Sequence, residues 1–311
     1  MSSTAAASGV PLLMQVMSAS HAIASRAGMI IRDIMKAGNL GVVLKNQRED
    51  DPQTEADRKA QRCIVSSLQT RFPGITVIGE EDLTESATDL IEMGDSEDVL
   101  SKACPDSLKS VSLADIVVWV DPVDGTKEYT QGFLDHVTVL IGVAVNGESV
   151  GGVIHQPYYN YQVPDAKMGR TMWGVVGLGC FGFTHKELPE SQRVITTTRS
   201  HGTQAVQDTI DAMCPTQILR VGGAGHKVLL CLEGTASAYI FASPGCKKWD
   251  TCAPEALLKA AGGTLTDVHG NKYRYEKDIK RMNTGGVIAA YRSHDFYLSK
   301  VPQSIKDALP A

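Results

Sequence analysis

A buried strand that runs straight into acidic residues is the feature that most constrains the fold of this chain. Residues 117–120 are apolar and mostly β-branched or aromatic, which is typical of a strand buried on both faces. The chain continues Asp-Pro-Val-Asp-Gly-Thr. Pro122 and Gly125 are expected to end the strand, because proline cannot donate to the ladder and glycine permits a tight turn. Asp121 and Asp124 then project from the strand end.

Two carboxylates at one strand end repel each other unless a cation lies between them. The ligands in this motif are hard oxygens without a neighbouring Cys or His, so the motif favours Mg²⁺ over zinc. An ordinary Asp-Pro-x-Asp-Gly turn is the alternative if the motif stands alone.

Three other acidic segments accompany the motif. Glu80 follows a second short apolar strand, and Asp250 stands at the start of a helical pattern. Asp57 lies in the first turns of a helix predicted over 53–72. Taken singly, Asp250 would be a helix N-cap and Asp57 a solvated acid that complements the helix dipole.

Together these segments match one family in order, spacing and residue type. Gly-Glu-Glu and Asp-Pro-x-Asp-Gly-Thr each follow a predicted strand, and Trp-Asp opens a late helix. With these motifs the chain resembles the magnesium-dependent, lithium-sensitive phosphatases of the inositol monophosphatase superfamily. Four further motifs are similar to the branch that acts on nucleoside bisphosphates, and they lie at 127–129, 156–161, 196–201 and 243–250. His226 departs from the pattern of that branch, which has Asn there.

The resemblance implies an α/β fold, a layered α-β-α-β-α sandwich, and the mixture of strand and helix patterns agrees with it. It also implies two or three Mg²⁺. The ligands carried over from the family are Glu80, Asp121, Asp124, Asp250 and the backbone carbonyl of Val123, while Glu81 would assist through water. Two such ions can clamp a phosphoryl group, so hydrolysis needs no protein nucleophile.

The resemblance also assigns roles outside the metal ligands. Asp57 and the Thr126 hydroxyl would orient and deprotonate the attacking water. The hydroxyl can accept a proton from water only if a nearby carboxylate takes the proton that the hydroxyl already carries. A plain turn hydroxyl is the alternative for Thr126. The nucleotide contacts carried over are Thr198, His201, Gly223 and Lys227; without the resemblance, the glycine cluster at 222–225 would be a structural turn into a helix.

The activity implied is removal of the 3′-phosphate from adenosine 3′,5′-bisphosphate, giving AMP and phosphate. Its 5′-phosphosulfate analogue and inositol 1,4-bisphosphate are implied as further substrates, and Li⁺ as an inhibitor. An inositol phosphate phosphatase with the same metal chemistry is the alternative enzyme. A silent metal or nucleotide sensor is disfavoured, because all the family's carboxylates and the Asp57 and Thr126 pair are present.

Periodicity predicts the remaining elements. Helices are expected at 11–37, 53–72, 203–213, 224–233, 250–261 and 294–308. Strands are expected at 75–78, 116–120, 136–145, 171–176, 193–198, 217–221, 236–241 and 286–290, and Asn146-Gly147 predicts a hairpin that returns to Ile154. The segment 177–182 fits G-x-G-x-x-G, but no helical apolar face follows it, so a glycine-rich strand or loop is expected.

The chain is expected to form one catalytic unit of two parts. Residues 1–165 would be an N-terminal α+β part with most metal ligands and an exposed acidic insertion at 83–114. Residues 166–311 would be a C-terminal α/β part with the nucleotide-binding residues and Asp250.

Composition limits the partners. A net charge of −5 over 311 residues argues against nonspecific nucleic-acid binding, which needs a basic face. No segment has the apolar length of a membrane span. Seven cysteines without a C-x-x-C pair are typical of free thiols in a reducing compartment. We therefore expect a cytoplasmic protein with neither nucleic-acid nor membrane partners. The resemblance implies a small nucleotide as its substrate.

Overall fold

The computed structural model describes residues 9–45, 52–82, 90–189 and 191–310. The helices in these ranges are α1 (Leu12–Ala37), α2 (Glu55–Arg71), α3 (Glu97–Leu100), α4 (Thr126–Gln131), α5 (Gln204–Ala212), α6 (Ala224–Leu232), α7 (Lys248–Ala260), α8 (His294–Lys300) and α9 (Gln303–Ala308). The strands are β1 (Val43–Leu44), β2 (Pro52–Gln53), β3 (Thr76–Gly79), β4 (Ile116–Asp124), β5 (Thr138–Val145), β6 (Glu148–Gln156), β7 (Arg170–Val175), β8 (Gly179–Phe181), β9 (Val194–Thr198), β10 (Gln217–Val221), β11 (Ala238–Phe241), β12 (Thr264–Thr266) and β13 (Val287–Ala290).

Two larger sheets organise the molecule. The first has six strands in the order β3-β4-β5-β6-β7-β8 and is antiparallel except for the parallel pair β3 and β4. The second has five strands in the order β10-β9-β11-β13-β12, with β9 parallel to both of its neighbours. Helices α1 and α2 pack on one face of the first sheet, whereas α6 and α7 contact both sheets. Because α5 and α8 pack against strands of the second sheet, the layers run α-β-α-β-α, as expected.

Strand β4 explains why two apolar cores form. Val118 and Val120 belong to the core beneath α1 and α2, while Val117 and Trp119 belong to the core that contains α6 and α7. Side chains of a strand alternate between faces, so an uninterrupted apolar run is required where both faces are covered. The Trp119 ring lies 6.5 Å from that of Trp249 in α7, which ties the strand to the helix that carries Asp250.

Most predicted elements are found within two residues of their expected bounds. The predicted hairpin is confirmed, and Asn146 and Gly147 have φ angles of 51° and 76°, as a tight turn between strands requires. The glycine-rich segment at 177–182 forms the turn and strand β8, with no helix after it, so the expectation of a strand or loop is confirmed.

Three details of the prediction are wrong. Strand β4 continues through Pro122 to Asp124, because the register shifts between Asp121 and Asp124. A residue in such a bulge is not required to donate to the neighbouring strand, so proline, which lacks an N–H, is tolerated there. The helix predicted over 294–308 is divided into α8 and α9 by Pro302, which starts a helix but cannot continue one. Helix α7 begins at Lys248, so Asp250 is its third residue and not its N-cap.

The acidic segment near residue 100 is partly anchored. Residues 83–89 of the predicted insertion lie outside the described residues. In the remainder, Val99 is fully buried and Asp95 accepts a hydrogen bond from the Ser18 hydroxyl at 2.8 Å. Strands β7 and β8 lie beyond the division expected near 165, yet they belong to the first sheet; the division itself stays a prediction. Of the described helices, none combines the length and apolar character needed to cross a membrane.

Candidate active site

The predicted site residues meet at one cleft of about 510 Å³ between the two sheets. Ten of the eleven line it: Glu80, Asp121, Val123, Asp124, Thr126, Thr198, His201, Gly223, Lys227 and Asp250. Asp57 lies behind Thr126, whose hydroxyl donates to the Asp57 carboxylate at 2.8 Å. Six segments that are far apart in the sequence therefore converge.

Asp121 is a buried carboxylate whose negative charge has little compensation from neighbouring groups. It is 3% exposed, and its recorded hydrogen bond is one accepted from the backbone N–H of Val123 at 3.0 Å. Burial first, and then the negative charges of Glu80, Asp124 and Asp250, raise its pKa well above its ordinary value. Such a group is stable as an anion only if a cation lies beside it.

Asp124 connects the acidic turn to helix α6. Its carboxylate accepts hydrogen bonds from the N–H groups of Ala224 and Gly225, both at 2.8 Å, and from the Thr138 hydroxyl at 2.6 Å. Burial raises its pKa even though these donors act in the opposite direction. Thr138 was missed by sequence reasoning, because nothing in the β5 pattern distinguishes it from any other inward-facing strand residue.

Asp250 and Glu80 complete the acidic set. Asp250 accepts from the Lys247 backbone N–H at 2.7 Å, and burial together with the Glu80 charge raises its pKa to about 7. Glu80 pairs with the Lys45 ammonium at 2.7 Å, and the same ammonium lies 2.6 Å from Glu81. No motif marks Lys45 in the sequence, so this cation at the acidic cluster was not predicted.

The donor set fits Mg²⁺ by its chemistry. Within the described ranges, no three Asp, Glu, His or Cys side chains are grouped closely enough to hold a metal as they stand. The carboxylates are nevertheless buried or partly buried oxygen donors that raise one another's pKa, and the Lys45 ammonium already contacts Glu80 and Glu81. Carboxylate and carbonyl oxygens are the ligands that Mg²⁺ prefers. A divalent cation would relieve the repulsion that the chain leaves uncompensated.

We expect the metal-free protein to lose stability as the pH rises from about 4 to about 7. The folded-state pKa values of Asp57 and Asp250 are raised to about 7 from an ordinary 3.8, so the folded state holds extra protons in this window and stability falls as they leave. Mg²⁺ should therefore stabilise the protein more at pH 8 than at pH 5. At a hundred times its Kd the gain is about 2.7 kcal/mol, roughly 5–10 °C in Tm. Thermal unfolding in EDTA and in Mg²⁺ measures both trends, and an equal Mg²⁺ shift at both pH values would contradict them.

Asp57 and Thr126 form a hydrogen-bonded pair. The Thr126 hydroxyl has a single proton and lies 2.8 Å from Asp57 and 2.9 Å from the Val123 carbonyl, so it donates to one of them at a time. Asp57 is fully buried, and its other oxygen accepts from the backbone and hydroxyl of Thr54 at the start of α2. Burial, aided by the Glu80 and Glu81 charges, raises its pKa to about 7. The helix cap thus holds the carboxylate toward Thr126.

The opposite wall of the cleft is cationic and rich in glycine. The buried Lys227 ammonium donates to the Gly223 carbonyl at 2.8 Å, and burial lowers its pKa while the Asp124 charge opposes this. Gly223 has φ 70°, and a Cβ there would come within 2.6 Å of the His136 carbonyl, so only glycine fits. The Thr198 hydroxyl accepts from the His201 N–H at 3.0 Å.

A group of side chains behind the glycine loop was not predicted. Glu128 is buried and pairs with Arg199 at 3.2 Å. The Arg199 guanidinium lies 4.3 Å from the Phe133 ring, and Phe133 and His226 both stack on His136, with ring centroids 5.9 and 5.0 Å away. His226 is not among the residues that line the cleft. Its difference from the family pattern therefore affects the support of the loop and not the lining of the site.

Known proteins resemble this chain in sequence and in fold. The model of the Inositol monophosphatase family matches residues 12–306. The chain belongs to the inositol monophosphatase family. It is 55% identical over 306 residues to the 3′(2′),5′-bisphosphate nucleotidase 1 of Rattus norvegicus. The aligned region covers 97% of this chain and 99% of the rat protein.

Solved structures of inositol monophosphatase proteins share the fold at lower identity. The extragenic suppressor protein suhB of Bartonella henselae has a TM-score of 0.67 at 23% identity, over 94% of this chain and 98% of that one. An IMPase/NADP phosphatase solved with Mg²⁺ and phosphate has a TM-score of 0.62 at 16% identity, over 88% and 90% of the two chains. At these identities the likeness establishes the fold alone.

Proposed function

We propose that this family member is a Mg²⁺-dependent phosphatase that removes the 3′-phosphate of adenosine 3′,5′-bisphosphate and releases AMP and phosphate. One observation carries the proposal: the acidic cluster and the glycine loop with Lys227 line the same cleft, and the hydrogen-bonded pair of Thr126 and Asp57 lies beside them. The rat relative, at 55% identity over nearly the whole chain, is named for this substrate class. The 5′-phosphosulfate analogue and inositol 1,4-bisphosphate are proposed as further substrates.

The acidic cluster would hold the metal. Its ligands would be Glu80, Asp121, Asp124, Asp250 and the Val123 carbonyl. Bound Mg²⁺ supplies the positive charge that acidifies a water molecule and neutralises the phosphate and the departing ester oxygen. A structural neighbour was solved with Mg²⁺ and phosphate, which agrees with the choice of metal but points to no particular ligand residue.

Thr126 and Asp57 would move the proton. The Thr126 hydroxyl, while donating to Asp57, has lone pairs free to accept the proton of the attacking water. The pKa of Asp57, near 7 in the metal-free protein, suits a base that works at neutral pH. The backbone N–H and the hydroxyl of Thr54 both donate to the second carboxylate oxygen of Asp57, so the first oxygen stays aligned with Thr126.

The nucleotide would lie against the glycine wall. Lys227 supplies a buried positive charge, and Gly223 lets the backbone approach an anionic ligand closely. Thr198 and His201 border the same cleft. After hydrolysis these four residues would retain AMP. We also propose a cytoplasmic location, because all seven cysteines are free thiols, as is usual in a reducing compartment.

A phosphate-release assay tests the proposed substrate. Adenosine 3′,5′-bisphosphate, 3′-phosphoadenosine 5′-phosphosulfate, inositol 1,4-bisphosphate and inositol 1-phosphate are compared in Mg²⁺ and in EDTA. We expect the highest kcat/KM with the adenosine bisphosphate, AMP as its product, and no turnover in EDTA. A preference for an inositol phosphate would replace the proposal with that activity, and turnover in EDTA would contradict the metal assignment.

Lithium is expected to inhibit this activity after bond cleavage. Li⁺ is close to Mg²⁺ in size but has half its charge, so it can occupy an oxygen site without stabilising the departing oxygen. The site most open to this exchange would be the one held by Asp124 and Asp250, beside the departing ester oxygen. Initial rates over a range of nucleotide concentrations should show uncompetitive or noncompetitive inhibition that Na⁺ and K⁺ do not reproduce at equal ionic strength. Competitive inhibition, or an equal effect of all three salts, would show that lithium acts elsewhere.

A further inference from the structure

The backbone amides of the glycine loop, residues 222–225, are almost all occupied within the protein. The N–H of Gly222 donates to the Nδ1 atom of His136 at 3.2 Å. The N–H groups of Ala224 and Gly225 donate to the Asp124 carboxylate. Among the described residues the Gly223 N–H has no recorded acceptor, although Gly223 lines the cleft. One amide of the four is therefore available to a bound ligand.

Gly222 has very little freedom in this arrangement. A Cβ at Gly222 would lie 2.0 Å from the Glu128 side chain, and Glu128 is itself held by Arg199. On its other side the Gly222 N–H meets His136, which is 8% exposed. The hydrogen bond to His136 thus holds the peptide that joins Val221 to Gly222, and the close approach of Glu128 leaves no space for a side chain at Gly222, one residue before Gly223.

His136 is itself oriented by its neighbours. Its ring is stacked between Phe133 and His226, and this arrangement restricts ring rotation. Since Nδ1 accepts from Gly222, the ring proton lies on Nε2. The ring does not line the cleft, so it acts on a ligand only through the loop.

We propose that His136 is a positioning residue for nucleotide binding, which fixes the Gly222 peptide so that the Gly223 N–H stays available to the nucleotide. The inference rests on the proposed function. Without the Nδ1 acceptor, the buried Gly222 N–H must find another partner or remain unpaired, which is unfavourable. The start of the loop at Gly222 and Gly223 would then rotate, while Ala224 and Gly225 stay bonded to Asp124, and the Gly223 N–H would be lost to the ligand. Among the described residues, the recorded hydrogen bond between Gly222 and His136 involves neither Asp57 nor Thr126.

The test compares His136→Leu, which removes the acceptor, with His136→Asn, whose Oδ1 lies near the position of Nδ1. We expect His136→Leu to raise the KM for the adenosine bisphosphate about tenfold while kcat stays within about threefold. Calorimetry should show AMP binding weakened by a similar factor. His136→Asn should restore both constants to within about threefold of wild type.

A matched control removes a different buried histidine. His294 is also 8% exposed and shares a hydrogen bond with the Thr266 hydroxyl at 3.0 Å, away from the loop. His294→Leu should lower Tm and leave KM unchanged. If His136→Leu does not fold, His136→Gln replaces it, because the longer side chain places its amide beyond the Nδ1 position; KM should then rise in the Gln variant and not in the Asn variant.

The outcomes separate this inference from the proposed function. An active wild type whose KM and AMP affinity are unchanged in His136→Leu, or equally impaired in His136→Asn, would overturn the positioning role alone. A wild type that neither hydrolyses the adenosine bisphosphate nor binds AMP would overturn the proposed function.

Discussion

Asp121→Asn is expected to lower kcat for phosphate release by roughly a thousandfold without unfolding the protein. Asp121 is buried, and its burial and the charges of four other carboxylates raise its pKa. The neutral amide keeps an oxygen to accept the Val123 N–H but removes one anionic metal ligand. The metal-free variant should therefore be as stable as wild type or more stable, because like-charge repulsion has been removed.

Circular dichroism, Tm in EDTA and in Mg²⁺, and phosphate-release kinetics measure this expectation. The stabilisation by Mg²⁺ should be lost together with turnover. Glu255→Gln is the matched control: Glu255 is 1% exposed, its pKa is raised to about 7 by burial, and it accepts from the Tyr275 hydroxyl away from the cleft. It should keep near-normal turnover. Wild-type rates in folded Asp121→Asn at ordinary Mg²⁺ would remove Asp121 from the metal site.

Asp124→Asn should also lose turnover, but it is a less clean test. The Asp124 carboxylate accepts from three donors, two of them backbone N–H groups at the start of α6. An amide nitrogen would face at least one of these donors, which leaves a buried donor without an acceptor. We therefore expect Asp124→Asn to lower Tm as well as kcat, whereas Asp121→Asn lowers kcat alone.

The second large effect concerns the Asp57 and Thr126 pair. Asp57→Asn, Thr126→Ala and the double variant should each lose a similar factor of about 10²–10⁴ in kcat. The Thr126 hydroxyl can take the proton of water only while Asp57 accepts the hydroxyl proton of Thr126. Substitution of either residue therefore disables the same proton transfer. Losses within one unit are strongly non-additive.

Single-turnover kinetics on the three variants measure this coupling, with Tm as a check on folding. Thr130→Ala serves as a control, since Thr130 lies in the same helix α4 and its hydroxyl donates to the Lys127 carbonyl at 2.9 Å. It should retain wild-type kcat. If the double variant loses the product of the two single factors, the residues act independently and the shared proton transfer is wrong.

Local pattern was sufficient for the elements that fold by their own periodicity. Helix α1 and the hairpin at Asn146 were predicted nearly to the residue, because an apolar face and a turn sequence are both encoded within a few neighbouring positions. The bulge at Pro122 was not predicted, since a proline in a strand pattern indicates an end or a bulge equally well. The pairing of Asp124 with Thr138 on β5 decided between the two.

The sequence by itself determined the layered fold, the acidic residues at the ends of β3 and β4, and the family to which the chain belongs, because strand and helix periodicities and short motifs are read from consecutive residues. Only the tertiary structure decided which groups surround those acids. The contacts of Lys45 with Glu80, of Gly222 with His136 and of Asp124 with Gly225 join residues 35, 86 and 101 positions apart. No local pattern specifies such pairs, since they exist only where packing of the two sheets against α6 and α7 brings distant loops to one cleft.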